Sequence, residues 1–135
     1  MSPPSRGDPA AVRRRDRGAA TVEFAGMFPL ILLMMAVIWQ CILIGYTFSL
    51  AANAADEGAR AGAGARTGAP AACTAAAMRH LPGSWEAETV TCPVEGTVRK
   101  AEVRLRVPAI FPGAFHLPMT VTGTAGAAEE GRAGP

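Results

Sequence analysis

The longest feature of the hydrophobic pattern is an uncharged run in the first half of the chain. No residue between Glu23 and Asp56 carries a formal charge, and residues 25–52 are almost all apolar. A helix rises about 1.5 Å per residue, so about 20 apolar residues cross the hydrocarbon layer of a bilayer. The pattern predicts a helix over residues 19–64 with a transmembrane span at about 24–50.

The second half of the chain is patterned as a small α+β region over residues 65–124. Residues 71–81 are predicted as a short helix with Pro70 at its start and Pro82 after its end. From Ser84 the apolar period changes to two, which indicates antiparallel strands. The expected strands cover residues 89–92, 102–107 and 119–124, with a turn at 93–96.

One of these strands shows strict alternation. Three aliphatic residues alternate with three charged ones, Val103, Leu105 and Val107 with Glu102, Arg104 and Arg106. This alternation predicts a half-buried strand with a charged outer face. About 60 residues supply only a marginal core, so we expect the sheet to depend on the long helix, a disulfide or a partner.

The remaining segments are rich in proline, glycine or small polar residues. Residues 1–12 and 125–135 are expected to be disordered, and residues 108–118 to form an irregular loop. Residues 1–18 contain five arginines and two aspartates, a net charge of +3. Positive charge beside a span favours the cytoplasmic side, so the leader is expected inside the cell and residues after about 50 outside.

Glu23 is unusual because it precedes the apolar run directly. An acidic residue costs roughly 2.5–3.5 kcal/mol at the centre of a membrane helix, and less near the interface. The surrounding residues 18–25 read Gly-Ala-Ala-Thr-Val-Glu-Phe-Ala, Pro29 lies six positions after the glutamate, and residues 53–60 read Asn-Ala-Ala-Asp-Glu-Gly-Ala-Arg. Together these segments resemble the TadE-like family, the minor pseudopilins of the tight-adherence (Flp) pilus machinery.

The resemblance implies a class 3 signal peptide cut after Gly18 by a prepilin peptidase of the aspartic membrane type. Ala19 would then be the first residue, and Glu23 the fifth. The implied residues are Gly18, Ala19, Glu23 and Phe24 for processing, and Glu23, Pro29, Glu57, Gly58 and Arg60 for assembly. The implied partners are other pilin-like subunits, the inner-membrane assembly platform and membrane lipid.

Several residues of the helix have individual expectations. Pro29 should bend it, because proline lacks an amide hydrogen. Tyr46 fits an anchor at the outer interface, and Gln40 either bonds to a partner helix or is a tolerated lone amide. Asp56 and Arg60 are spaced for an ion pair. Small residues form a face on which another helix could pack closely, namely Ala51, Ala55, Gly58 and Gly62.

The three cysteines divide between the span and the outer region. Cys41 lies within the span, whereas Cys73 and Cys92 lie on the expected outer side, where oxidising conditions permit a disulfide. Closing a loop of about 20 residues would stabilise the fold by roughly 3 kcal/mol. The alternative is two free buried thiols.

No catalytic or metal-binding pattern is present in the sequence. His80 and His116 have no expected acid-base partner, and the spacing of Cys73, His80 and Cys92 fits no compact zinc site. Glu86, Glu88 and Glu95 are interpreted as a solvated rim. We therefore expect no enzyme activity, no cofactor, no small-molecule substrate and no nucleic-acid partner.

Three functional hypotheses remain open from the sequence. The first is a processed pseudopilin, incorporated into a surface pilus or retained in the cytoplasmic membrane as an assembly factor, in a system serving adhesion or secretion. The second is an uncleaved, signal-anchored surface protein. The third is a secreted protein cut near Ala54, although its apolar run is longer than the 7–15 residues usual for a secretory signal.

Overall fold

The long helix, the short helix and the antiparallel sheet are all present, so the α+β class is confirmed. The computed structural model describes residues 1–2, 9–108 and 119–129, with the side chains of 9–17 excepted. Its elements are the helices α1 (Pro9–Gly64) and α2 (Ala69–Met78) and the strands β1 (Ala87–Thr91), β2 (Val94–Glu95), β3 (Val98–Arg106) and β4 (Thr120–Ala128).

The chain divides into two units, Met1–Ile38 and Trp39–Pro135. In the described part of the first unit, the helix carries exposed apolar side chains from Val22 to Ile38. The stretch Gly18–Gly64 is long and apolar enough to cross a membrane, and none of its most apolar window is buried within the described chain. The long apolar helix fits a single-pass membrane protein.

Helix α1 begins at Pro9, earlier than the expected start near residue 20. Residues 9–12 are therefore helical, and the expectation of disorder is wrong for them. Proline suits the first position of a helix, and the alanines and arginines that follow are good helix formers. Residues 3–8 lie outside the described part of the chain.

Helix α2 follows α1 after a short connection and packs against it. Gly68 precedes α2 with a φ of 64°, in the left-handed region that favours glycine, and Pro70 lies in the first turn as expected. The helix ends at Met78 rather than at residue 81. Proline disfavours helical geometry in the residue before it, so Pro82 prevents Leu81 from continuing the helix.

Strand β3 is the centre of a four-stranded antiparallel sheet. Strands β1 and β2 pair with β3 along one edge, and β4 pairs with it along the other. Val103, Leu105 and Val107 are buried, whereas Arg104 and Arg106 are exposed. The predicted half-buried strand with a charged face is confirmed.

Several strand boundaries differ from expectation, since β1 already begins at Ala87 and β3 at Val98. Residues 94 and 95 form the short strand β2, so the turn lies at Gly96 and Thr97, where Gly96 has a φ of 63°. Strand β4 continues to Ala128, so residues 125–128 are paired with residues 98–101 of β3 and are not disordered. Backbone hydrogen bonds hold this segment although its side chains are small. The predicted loop at 108–118 lies outside the described residues except for Pro108.

The C-terminal part of α1 forms one side of the hydrophobic core of the second unit. Ala51, Ala55 and Ala59 are buried together with Ala101, Val103 and Leu105 of β3. On the neighbouring face, a β-carbon built on Gly58 would lie 3.0 Å from the carbonyl oxygen of Cys73 and 3.1 Å from the β-carbon of Ala77. The predicted small-residue face is divided between two partners, since Gly58 and Gly62 contact α2, whereas Ala51 lies against β4.

Strand β4 approaches α1 most closely at Gly123. A β-carbon on Gly123 would collide with the carbonyl group of Ala51 and the amide nitrogen of Ala52. Because the atoms in the way belong to the backbone of a helix, they cannot move aside as the end of a side chain could. Glycine is therefore required at this crossing.

A disulfide bond also stabilises the second unit. Cys73 of α2 and Cys92, which follows β1, are joined by a disulfide with a Cα–Cα distance of 6.4 Å. Cys73 is fully buried in the core. The bridge thus connects the helical and the sheet layers of the unit, whereas Cys41 is free and exposed.

We predict that Gly123→Ala lowers the free energy of unfolding of the second unit by about 1–3 kcal/mol, as overpacking typically does. Pulse proteolysis of the full chain in detergent micelles measures this change. Gly64→Ala is the matched control, since nothing lies within 4 Å of a β-carbon at Gly64. Equal stability of the two variants would contradict the close crossing.

Candidate functional site

The segment around Gly18 is an exposed part of α1. A β-carbon added to Gly18 would meet no atom within 4 Å, and Ala19 and Glu23 are exposed. Glu23 makes no hydrogen bond or ion pair with any residue that the structure describes. Phe24 is 65% exposed, and its ring lies 6.1 Å from that of Phe28. The residues expected for processing are thus accessible along one short stretch of helix.

Pro29 lies inside α1, which continues through it as one helical element. A proline in a helix interior leaves the carbonyl four residues earlier without its usual donor. In a membrane that carbonyl must find another partner or be shielded by a neighbouring helix. Pro29 therefore marks a position where contact with a second helix would be favourable.

The expected assembly residues near the end of α1 have different environments. Asp56 and Arg60 form the expected i,i+4 ion pair at 3.0 Å, and both side chains are largely exposed. Glu57 is exposed as well, whereas Gly58 is buried against α2. Gly58 therefore serves packing within the chain, and only Glu57 and Arg60 remain accessible to another subunit.

His80 has an acidic partner, contrary to the expectation from sequence. Its Nδ1 lies 2.9 Å from Oε2 of Glu57. The two residues are 23 positions apart and meet because α2 returns along α1. They line a cavity of about 280 Å³ together with Asn53 and Leu81. His116, the other candidate, lies outside the described residues.

A buried ion pair joins β3 to the residue that follows β4, and its arginine also contacts α1. Arg99 Nη2 donates to Oε1 of Glu129 at 2.6 Å, and the two side chains are only 7% and 11% exposed. Nη1 of Arg99 donates to the carbonyl of Cys92 at 3.4 Å, and the aliphatic part of Arg99 covers Gly62 of α1. Sequence reasoning missed this pair, since both residues resemble ordinary surface charges in their local pattern.

A second missed contact involves Trp85. Its Nε1 donates to Oγ1 of Thr47 at 2.8 Å, and its ring meets that of Tyr46 edge-on at 5.2 Å. The hydroxyl of Thr47 in turn donates to the carbonyl of Leu43 at 2.7 Å. A signal for this contact existed in the sequence, because Trp85 lies outside the apolar run and a partly buried indole N–H usually finds a hydrogen-bond partner.

Among the residues that the structure describes, no group of three or more His, Cys, Asp or Glu side chains is placed to hold a metal ion. The described cavities, of about 440 and 280 Å³, are partly open to solvent. The accessible features are therefore a helix with an apolar surface, an acidic residue near its start and a small domain formed by the end of α1, α2 and the sheet.

These features fit a single-pass membrane protein with one long N-terminal helix. Residues 18–60 match the family model described as TadE-like protein, and the resemblance drawn from the sequence is confirmed over that segment. The matching segment is consistent with a TadE-like protein of the Tad pilus system. No curated protein and no solved structure matches the chain significantly.

We predict that Glu57→Ala lowers the free energy of unfolding by less than about 1 kcal/mol, because exposed ion pairs contribute little. Glu129→Ala is the matched comparison and should cost about 3–5 kcal/mol, because it leaves Arg99 buried without its carboxylate. Urea unfolding of the full chain in micelles measures both. Similar losses for the two variants would contradict the assigned environments.

Proposed function

We propose that this chain is a minor pseudopilin, an assembly component of a tight-adherence pilus or a related secretion machine, which a prepilin peptidase cuts after Gly18. The TadE-like match suggests a component associated with the Tad pilus. The proposal adds the cut, the role of Glu23 and the contact with other pilin-like subunits and the assembly platform in the inner membrane.

The observation that carries the proposal is the position of Gly18. The family match begins at this residue, directly after the arginine-rich leader and five positions before Glu23. Gly18 and its neighbours are exposed on the helix, so a protease could reach them after local unwinding. Cleavage would remove the positive leader and leave an apolar helix with an acid near its new end.

Glu23 would then have a chemical role at the new N-terminus. Cleavage frees the amine of Ala19, and both that amine and the carboxylate are costly in an apolar environment when alone. Pairing them, within one subunit or between neighbours, removes both costs together. Glu23 is exposed and has no partner among the described residues, which leaves it available for such a contact.

The structure weighs against the secreted alternative. The small-residue site Ala52-Asn53-Ala54 lies inside α1, and Ala51, Ala54 and Ala55 are buried in the core. A cut near Ala54 would separate Ala51 from Gly123 and remove part of the wall on which the sheet packs. The uncleaved anchor differs from the pseudopilin only in keeping its leader, and N-terminal sequencing distinguishes them.

The arrangement in the cell follows from the charges. We propose that the leader is cytoplasmic and that the domain after α1 lies outside, where the disulfide between Cys73 and Cys92 can form. In this arrangement the chain acts through contacts with lipid and protein rather than as an enzyme.

Replacing Gly18 with leucine should block maturation, because a bulky side chain would occupy the position of the scissile glycine. Intact mass and N-terminal sequencing of the protein from its native membrane should show a start at Ala19 for the wild type and an uncut leader for the variant. Gly26→Leu, at another exposed helix position with nothing nearby, is the control and should mature normally. A wild-type chain that keeps its leader would overturn the proposal in favour of the uncleaved anchor.

We also predict that Glu23→Gln leaves membrane insertion intact but lowers incorporation into pili about tenfold or more, because an unpaired buried amine costs several kcal/mol. Counting surface pili and crosslinked subunits measures this effect. Glu86→Gln, the same change at an exposed site of the outer domain, should have no effect. Wild-type pili in the Glu23 variant would exclude the assigned role.

A further inference from the structure

The turn that contains Trp85 contacts α1 at Thr47. The amide of Trp85 donates to the carbonyl of Pro82 at 2.9 Å and closes this turn. From there the indole reaches Thr47, whose side chain is fully buried beneath it. Thr47 lies one turn before Ala51, so this turn extends further back along α1 than the crossing of β4 does.

Trp85 and Tyr46 form one aromatic cluster at this level. Their rings meet edge-on at 5.2 Å with an interplanar angle of 66°. Trp85 is partly exposed, and Tyr46 is 49% exposed. Both side chains combine an apolar ring with a polar tip, the chemistry that is enriched where a membrane meets water.

The surface of α1 changes character at the same level. Large exposed apolar residues follow one another from Val22 to Phe48, and none occurs on α1 beyond Phe48. Apart from Gly64, the exposed residues further along the helix are polar or charged, namely Ser49, Asn53, Glu57 and Arg60. The apolar surface of the helix therefore ends within two residues of the aromatic cluster.

We propose that Trp85 and Tyr46 anchor the outer domain in the headgroup layer of the outer leaflet, so that the domain rests on the lipid surface. The hydrocarbon layer then ends before Thr47 and not at about residue 50, as the hydrophobic pattern suggested. This anchor requires the single-pass arrangement, but it does not depend on cleavage at Gly18 or on pilus assembly.

Two physical limits support this boundary. Residues 24–46 extend about 35 Å as a helix, which is enough for a hydrocarbon layer of about 30 Å. The Pro82–Trp85 turn has polar backbone groups outside any helix or strand, and such groups are not tolerated facing lipid hydrocarbon. Deeper insertion would bury the turn in hydrocarbon, and shallower insertion would leave large apolar residues such as Ile42 in water.

Fluorescence quenching in lipid vesicles tests the depth of Trp85. The chain has two tryptophans, so the variant Trp39→Phe leaves Trp85 as the single emitter. Because Trp39 is exposed and outside the core, this change should not disturb the fold. The full chain is reconstituted into phosphatidylcholine vesicles that carry bromine either near the glycerol or near the chain ends. We expect a larger loss of Trp85 emission with the shallow bromine than with the deep one.

The reciprocal variant supplies the control. Trp85→Phe leaves Trp39 as the emitter, and Trp39 lies within the predicted span, so the deep bromine should quench it more strongly. Absence of quenching of Trp85 by either lipid would place the turn in water and overturn the anchor. Stronger quenching of Trp85 by the deep bromine would place the turn in hydrocarbon and overturn it as well.

Discussion

The fold of the second unit depends on how closely α2 and the sheet can approach the last turns of α1. Residues 51–63 of α1 present alanine and glycine to both α2 and the sheet. The largest fully buried side chains of the described chain are only Leu105, Val103, Thr47 and Cys73. With so little apolar volume to bury, stability relies on short interlayer distances, and the disulfide and the Arg99–Glu129 pair reinforce them.

One helix thereby combines two kinds of surface. Up to Phe48 its large apolar side chains are exposed and suited to lipid, or to other helices within a fibre. From Ala51 it carries small residues that are covered by its own domain. Because the two surfaces use different residues, contacts made by the apolar stretch do not compete with the packing of the domain.

Sequence reasoning succeeded where the determining interactions are local. The apolar run, the alternation around Val103 and the helix-starting Pro70 each report on immediate neighbours, and the structure bears them out. It failed where distant segments meet: Glu57 with His80, Arg99 with Glu129, and Trp85 with Thr47. It also misjudged residues 125–128, since pairing with β3 stabilises a segment whose own composition indicates no structure.

Gly123 of β4 packs against Ala51 of α1, so the last strand of the domain contacts its first helix. This contact affects the order in which the domain folds. Because α1 and α2 precede β4 in the chain, the face that β4 covers stays open until the last strand has been synthesised. Distant pairing of this kind is intrinsically slow to form. In that interval the surface around Ala51 is uncovered, so the incomplete domain exposes a flank that the finished fold buries.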